Sequence, residues 1–136
     1  MSAQFPSDEW IKQLMVALNG SESYARSAKD WEGDFVFVVE PDAAYDQEAQ
    51  LFLGLYHGEC TSAEMIGEAD GHSPEFVINA SFSVWRQVVE GKLDPIQGMM
   101  TRKLKLSGNM MKIMRYPKAA KEIVSCCALV PTDFDD

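Results

Sequence analysis

The sequence predicts an α+β domain of about five strands with helices grouped at both ends. Three observations carry that prediction. A continuous β-branched and aromatic run occupies Phe35 to Val39, a second apolar stretch folds back on itself around His57-Gly58, and helical apolar spacing fills the segments before Gly33 and after Ser81. The chain has 136 residues, the size of one typical domain. We read it as a single unit, with a helical hairpin over 7–32, a sheet-and-helix body over 34–127 and an acidic tail over 131–136.

Each element has a local reason. Ser7 or Asp8 can cap a first helix, on which Trp10, Ile11, Leu14, Met15 and Leu18 recur at helical spacing until Asn19-Gly20 stops it. Ser21 opens a second helix with Tyr24, Ala25, Ala28 and Trp31 on one side, ended by Gly33. The run "FVFVV" lies between Gly33-Asp34 and Pro41-Asp42 and reads as a strand buried on both faces. In the hairpin that follows, Leu51, Leu53 and Leu55 share one face of the first arm, and Phe52 and Tyr56 take the other. Glu75 to Ala80 is a further strand after the turn "DGHSP".

Ser81 then caps a helix with a stripe of Phe82, Trp85 and Val89, flanked by Val84 and Val88 and stopped at Gly91. Asp94-Pro95 starts another, because proline suits the first helical position; it carries Ile96, Met99 and Met100. "KLKLS" alternates, with Leu104 and Leu106 opposite Lys103 and Lys105, as an edge strand that resists pairing with other chains. A last helical stretch starts near Asn109, and Pro117 divides it; the second piece carries Ala120, Ile123, Val124 and Cys127.

Charge narrows the function. Twenty-one acidic residues face twelve basic ones, giving a net charge of −9 and a pI of about 4.6. A phosphate backbone would be repelled, so nucleic acid is excluded, and steady attachment to an anionic membrane is disfavoured. Eight of the twelve basic residues nonetheless follow Arg86, which leaves room for a brief membrane encounter through the C-terminal half. The N-terminus has no secretory pattern and no apolar run is long enough to span a membrane, so the expected location is cytoplasmic. Three cysteines, Cys60, Cys126 and Cys127, make no disulfide framework and suit a reducing compartment.

Catalytic and metal patterns are missing. His57 and His72 fall in turns, no cysteine pair has zinc-site spacing, and neither a Gly-x-Ser-x-Gly elbow nor a phosphate-binding glycine loop occurs. His57 and Cys60 form the only close pairing, without an evident third partner. No metal and no cofactor is expected. What is left is apolar volume, above all between Gly98 and Pro117, where five of the eight methionines lie. Methionine fills irregular apolar space, and periodicity alone favours core filler over a cavity wall.

The stretch "VWRQVVEGKLDPIQGMMTRKLKLSGNMMKIM" resembles the signature of the sterol carrier protein type-2 domain family. The landmarks are the Trp85 helix ending in Gly91-Lys92, the turn Leu93-Asp94-Pro95, and the run from Lys103 to Met110. The resemblance covers Phe35 to Val124. Arg102 stands where the family usually has glycine, and the helix continuing through Pro117 is similar to the prokaryotic, stand-alone members. The resemblance implies a five-stranded, mostly antiparallel sheet covered by helices and enclosing an apolar tunnel. It implies non-catalytic binding, and intracellular transfer, of a fatty acid, fatty acyl-CoA, phospholipid or isoprenoid. By position the tunnel lining falls to Val84, Val88, Ile96, Met99, Met100, Leu104, Leu106, Met110 and Met114. Arg102, Lys103 or Arg115 would hold an acidic head at a mouth. Two other readings stand beside it: a closed-core module that pairs with a partner enzyme or a second copy, and a thioester-processing enzyme using Cys60 or His57.

Overall fold

The computed structural model describes residues 3–43, 47–66 and 74–134. Helices begin where a side chain can satisfy a free backbone N–H. After a short strand, β1 (Ala3–Phe5), the Ser7 hydroxyl accepts from the Trp10 amide at 3.0 Å and starts α1 (Asp8–Asn19), whose inner side is Trp10, Ile11, Leu14 and Leu18. Ser21 caps α2 (Glu22–Ser27) in the same way, through the Tyr24 amide. This helix is shorter than the sequence suggests. It ends before Trp31, which lies on the extended approach to the sheet; its indole N–H donates to the Gly33 carbonyl at 2.9 Å and its ring stacks on Phe35. Packing on the sheet wins over continuing the helical side.

β2 (Phe35–Glu40) is the central strand of a five-stranded sheet ordered β4-β3-β2-β5-β6. β3 (Ala49–Tyr56) runs antiparallel to it, and β4 (Glu59–Ile66) follows through a two-residue turn. His57 and Gly58 both have positive φ there, 50° and 81°, as a tight hairpin matching strand twist requires. A Cβ on Gly58 would come within 2.6 Å of the Ala25 carbonyl oxygen, so glycine lets the turn sit against α2. β5 (Phe76–Ser81) pairs with β2 in parallel, the one parallel ladder in this sheet, and places Phe35 beside Phe76 and Phe37 beside Ile78. On the core face stand Phe35, Val39, Leu51, Leu53, Phe76 and Ile78; on the reverse, Val36, Val38 and Phe52 form a smaller cluster. The central strand is therefore buried on both faces.

Ser81 ends β5 and caps α3 (Phe82–Val89) through the Val84 amide. Asp94 caps α4 (Pro95–Met100), with proline in the first turn. β6 (Lys105–Ser107) is the three-residue edge, with Leu106 opposite Ile78 and Lys105 opposite Asn79 on the other face. Asn109 caps α5 (Met110–Met114), and α6 (Pro117–Leu129) starts at the proline.

One feature has no trace in the apolar pattern. Thr132–Phe134, within the segment expected as an acidic tail, forms a strand, β7, that pairs in parallel with β1. Phe5 packs edge-on against Trp10 at 4.8 Å and against Phe134 at 5.9 Å, and the Trp10 indole donates to the Thr132 hydroxyl at 2.9 Å. Arg86 of α3 lies 4.7 Å over the Phe134 ring. The two ends of the chain are clasped beneath α1 and α3.

Trp31 ties this frame together, being 4% exposed and stacked on both Phe35 and Phe76. Trp31→Ala should cost about 3–5 kcal/mol, read as a fall in the urea midpoint at unchanged slope.

Candidate functional site

The sheet's core face and the helices over it do not close completely. A cavity of about 80 Å³ separates them. Its floor is Phe35 and Phe37 of β2, Leu51 of β3 and Ile78 of β5; its walls are Trp10 and Leu14 of α1, and Trp85, Val88 and Val89 of α3. Pro95, Met99, Leu104 and Ile113 close one side, and Ala120, Ile123, Val124 and Cys127 of α6 form the roof, with Phe5 of the terminal clasp at the margin. A second cavity, of about 30 Å³, continues toward α2 between Tyr24, Trp31, Leu55, Tyr116 and Ala119. Four residues, Phe35, Ile113, Ala120 and Ile123, line both. The two voids are thus neighbours along α6, divided by a neck of those side chains.

Neither void offers a charge. The Trp10 indole N–H is bonded to Thr132, that of Trp85 to the Val38 carbonyl at 2.8 Å, and that of Trp31 to Gly33. Burial pushes the Cys127 thiol up to about 12 and raises the Tyr24 phenol above its ordinary value, so both stay neutral. Walls of this kind accept hydrocarbon. A polar head has to sit outside.

The sequence-named residues divide into three groups. Val88, Met99 and Leu104 line the main cavity. Val84, Ile96, Leu106 and Met110 are half-buried and pack on the core without lining either void. Met100 and Met114 point away from it, 63% and 43% exposed. Adjacent residues on a helix differ by about 100° in direction, so Met99 and Met100 cannot both face inward. Arg102, Lys103 and Arg115 are exposed and line neither void. The lining that sequence reasoning missed comes from the central strand, α1 and the roof, namely Phe35, Phe37, Trp10, Leu14 and Ile123. Their signals were the amphipathic spacing of α1, the buried run from Phe35 and the apolar stripe that holds Ile123, each of which marks a buried side without marking a cavity wall.

His57 and Cys60 form no couple. His57 Nε2 lies 2.7 Å from a Glu32 carboxylate oxygen on the exposed turn, and its ring stacks on Tyr56. Cys60 is buried, its thiol faces the Ser62 carbonyl, and burial pushes it up to about 11. A thiol of that kind is a poor nucleophile near neutral pH. Among the described residues no three His, Cys, Asp or Glu side chains stand together as a metal site, and no helix is long and apolar enough to cross a membrane.

The raised thiols carry a sign. Burial disfavours the thiolate, so folded Cys60 and Cys127 keep their protons to about 11 and 12, against an ordinary 9.0. Their contribution to stability is full below pH 9.0 and is lost as pH rises through that window, where the unfolded thiols ionise first. Urea midpoints measured across it should fall, and Cys60→Ala/Cys127→Ala should flatten the fall.

Known proteins share this architecture. The model of the SCP-2 sterol transfer family matches residues 11–121. A crystal structure of sterol carrier protein 2 is 34% identical, with a TM-score of 0.82, covering 91% of this chain and 97% of its own. The solution structure of a conserved hypothetical protein of Thermus thermophilus is 31% identical, with a TM-score of 0.86, covering 98% of this chain and 94% of its own. Sterol carrier protein 2 from Yarrowia lipolytica, in its apo form, shares the fold at 23% identity and a TM-score of 0.59, over 86% of this chain and 88% of its own. A search of curated proteins found no match.

Proposed function

This chain belongs to the SCP-2 sterol transfer family, and from that premise we propose that it is a cytoplasmic, non-catalytic carrier that holds one lipid in the cavity beneath α6 and passes it between membranes by transient contact. The cargo is a molecule with a hydrocarbon chain: a fatty acid, a fatty acyl-CoA, a phospholipid or an isoprenoid. The observation that carries this reading is the pair of uncharged neighbouring voids that share the lining residues Phe35, Ile113, Ala120 and Ile123. Displacing those four side chains would open a path from the Met99 side of the molecule to the Tyr24 side.

The voids must widen to work. Ligand pockets run to roughly 300–1,000 Å³, well above the 80 Å³ of the main cavity. The floor belongs to the sheet and cannot yield cheaply, but the roof can. α4 and α5 have six and five residues, and the start of α6 has no side-chain cap. Met99 and Ile123 can re-rotamer around an incoming chain, methionine most easily. The energetics suit release as well as capture. Burying ten methylenes is worth roughly 8 kcal/mol gross at about 0.8 each, and association costs several kcal/mol, which leaves weak to micromolar binding.

Gentle organic extraction of the purified protein, with native and denatured mass spectra side by side, tests the reading. A stoichiometric lipid that leaves on denaturation supports it and names the cargo class. Bare protein that also fails to take up labelled oleate overturns it, and a concentration-dependent mass would then favour the closed-core module. Ala120→Trp places an indole in the neck. It should weaken oleate uptake at least tenfold, with a stability loss of about 1–3 kcal/mol as the cost of overpacking. Unchanged affinity in that folded variant would place the ligand elsewhere.

A further inference from the structure

α2 and α6 meet along a seam whose two sides differ in chemistry. Inward, Tyr24 of α2 and Ala119, Ala120 and Ile123 of α6 line the second void. Outward, Ser23, Arg26 and Ser27 of α2 and Lys118, Lys121 and Glu122 of α6 line an open groove of about 400 Å³. Helical spacing makes the division. Positions 23, 26 and 27 share one side of α2, and positions 118, 121 and 122 one side of α6, with Tyr24 and Ile123 turned away from them. The groove sets three cations against one carboxylate, in a chain whose net charge is −9. Among the described residues Lys118 and Lys121 have no ion-pair partner, and Arg26 has only the exposed Glu22 of its own helix, at 3.9 Å. The Ser27 hydroxyl donates to the Ser23 carbonyl, and the Ser23 hydroxyl makes no hydrogen bond among the described residues.

We propose that this groove binds the phosphate of an alkyl or isoprenyl phosphate or diphosphate, whose chain lies in the second void and passes out between α2 and α6. This rests on the carrier reading and names the head group of its cargo. The voids hold no charge, so a head group lies outside them, and this groove is a charged concavity on the far side of a void's wall. Ala119 and Ala120 offer the least bulk along that seam. Charge selects the head. The lining leaves two positive charges, which matches a phosphate monoester at about −1.5 to −2 near pH 7 and exceeds the single charge of a carboxylate or a phosphodiester. Arginine grips phosphate as a fork and lysine as a point charge. A nucleotide head fits poorly, because the groove offers a base no aromatic or apolar side chain to stack on.

Calorimetric titration of the purified full chain tests this, with dodecyl phosphate, dodecanol, lauroyl-CoA and inorganic phosphate as probes, each below its micelle concentration. Dodecyl phosphate should bind at least tenfold more tightly than dodecanol, with a lead that shrinks as salt rises. Lys118→Gln/Lys121→Gln should erase most of that lead, roughly tenfold, and Glu122→Gln should widen it several-fold by removing the one carboxylate that faces the head. Circular dichroism confirms that both variants fold. Dodecyl phosphate and dodecanol bound alike, or a lead that the lysine substitutions leave unchanged, overturns the proposal. So does a preference for lauroyl-CoA over dodecyl phosphate, which would assign the groove to a nucleotide head. Inorganic phosphate that binds as well as dodecyl phosphate overturns it too, by making the groove a site for the free ion. The carrier reading fails separately: a protein that takes up dodecanol and dodecyl phosphate equally loses the groove and keeps the carrier, and one that takes up no dodecyl chain at all loses the carrier.

Discussion

The ring of Phe35 is the constraint on which the rest of the molecule depends. It sits on the central strand, stacks on Phe76 at 5.1 Å, on Phe37 at 5.8 Å and on Trp31 at 5.8 Å, and lines both voids. Those contacts join the parallel partner strand, the cavity floor and the approach from α2 in one block. Offset aromatic pairs of this kind add to the area they bury, so the floor is the stiff part of the structure. Tyr116 meets Trp31 edge-on at 5.1 Å, and Lys112 reaches Glu75 from α5, which pins the roof at one end. Beside the roof the cavity is closed by α4 and α5, short helices of six and five residues. A void forms where a stiff floor meets a roof that cannot follow its shape.

A second consequence follows from how the interior treats polar groups. Every buried indole N–H on the floor and walls is bonded within the protein, and the buried thiols and the Tyr24 phenol are neutral. Unsatisfied polar atoms in such a space would cost free energy, and here they are removed before any ligand arrives. Charge is kept to the outside: among the described residues no charged side chain is buried.

Much of the frame was legible because it is written in local chemistry. Ser7, Ser21, Ser81, Asp94 and Asn109 cap helices whose short hydroxyl, carboxylate or amide side chains reach the nearby amides. His57-Gly58 turns a hairpin, and the run from Phe35 is buried on both faces. The cavity was only half legible. Of the residues placed by the family resemblance, Val88, Met99 and Leu104 line the void while Met100 and Met114 face outward, since a matched position does not say how a short helix is rotated. Trp31 shows the opposite failure: helical spacing assigned it to α2, and stacking on the sheet took it away.

By itself the sequence determined the α+β class, the order of the helices and of the five sheet strands, and their caps and turns, because these depend on neighbours a few residues apart. Only the tertiary structure decided the β1–β7 clasp, the parallel pairing of β2 with β5, and which side chains meet around the void. The clasp joins residues at opposite ends of the chain, and Ala3, Gln4 and Phe5 carry too few apolar positions to announce a strand. A void is a failure of packing among elements far apart in sequence, so no local pattern can encode its place.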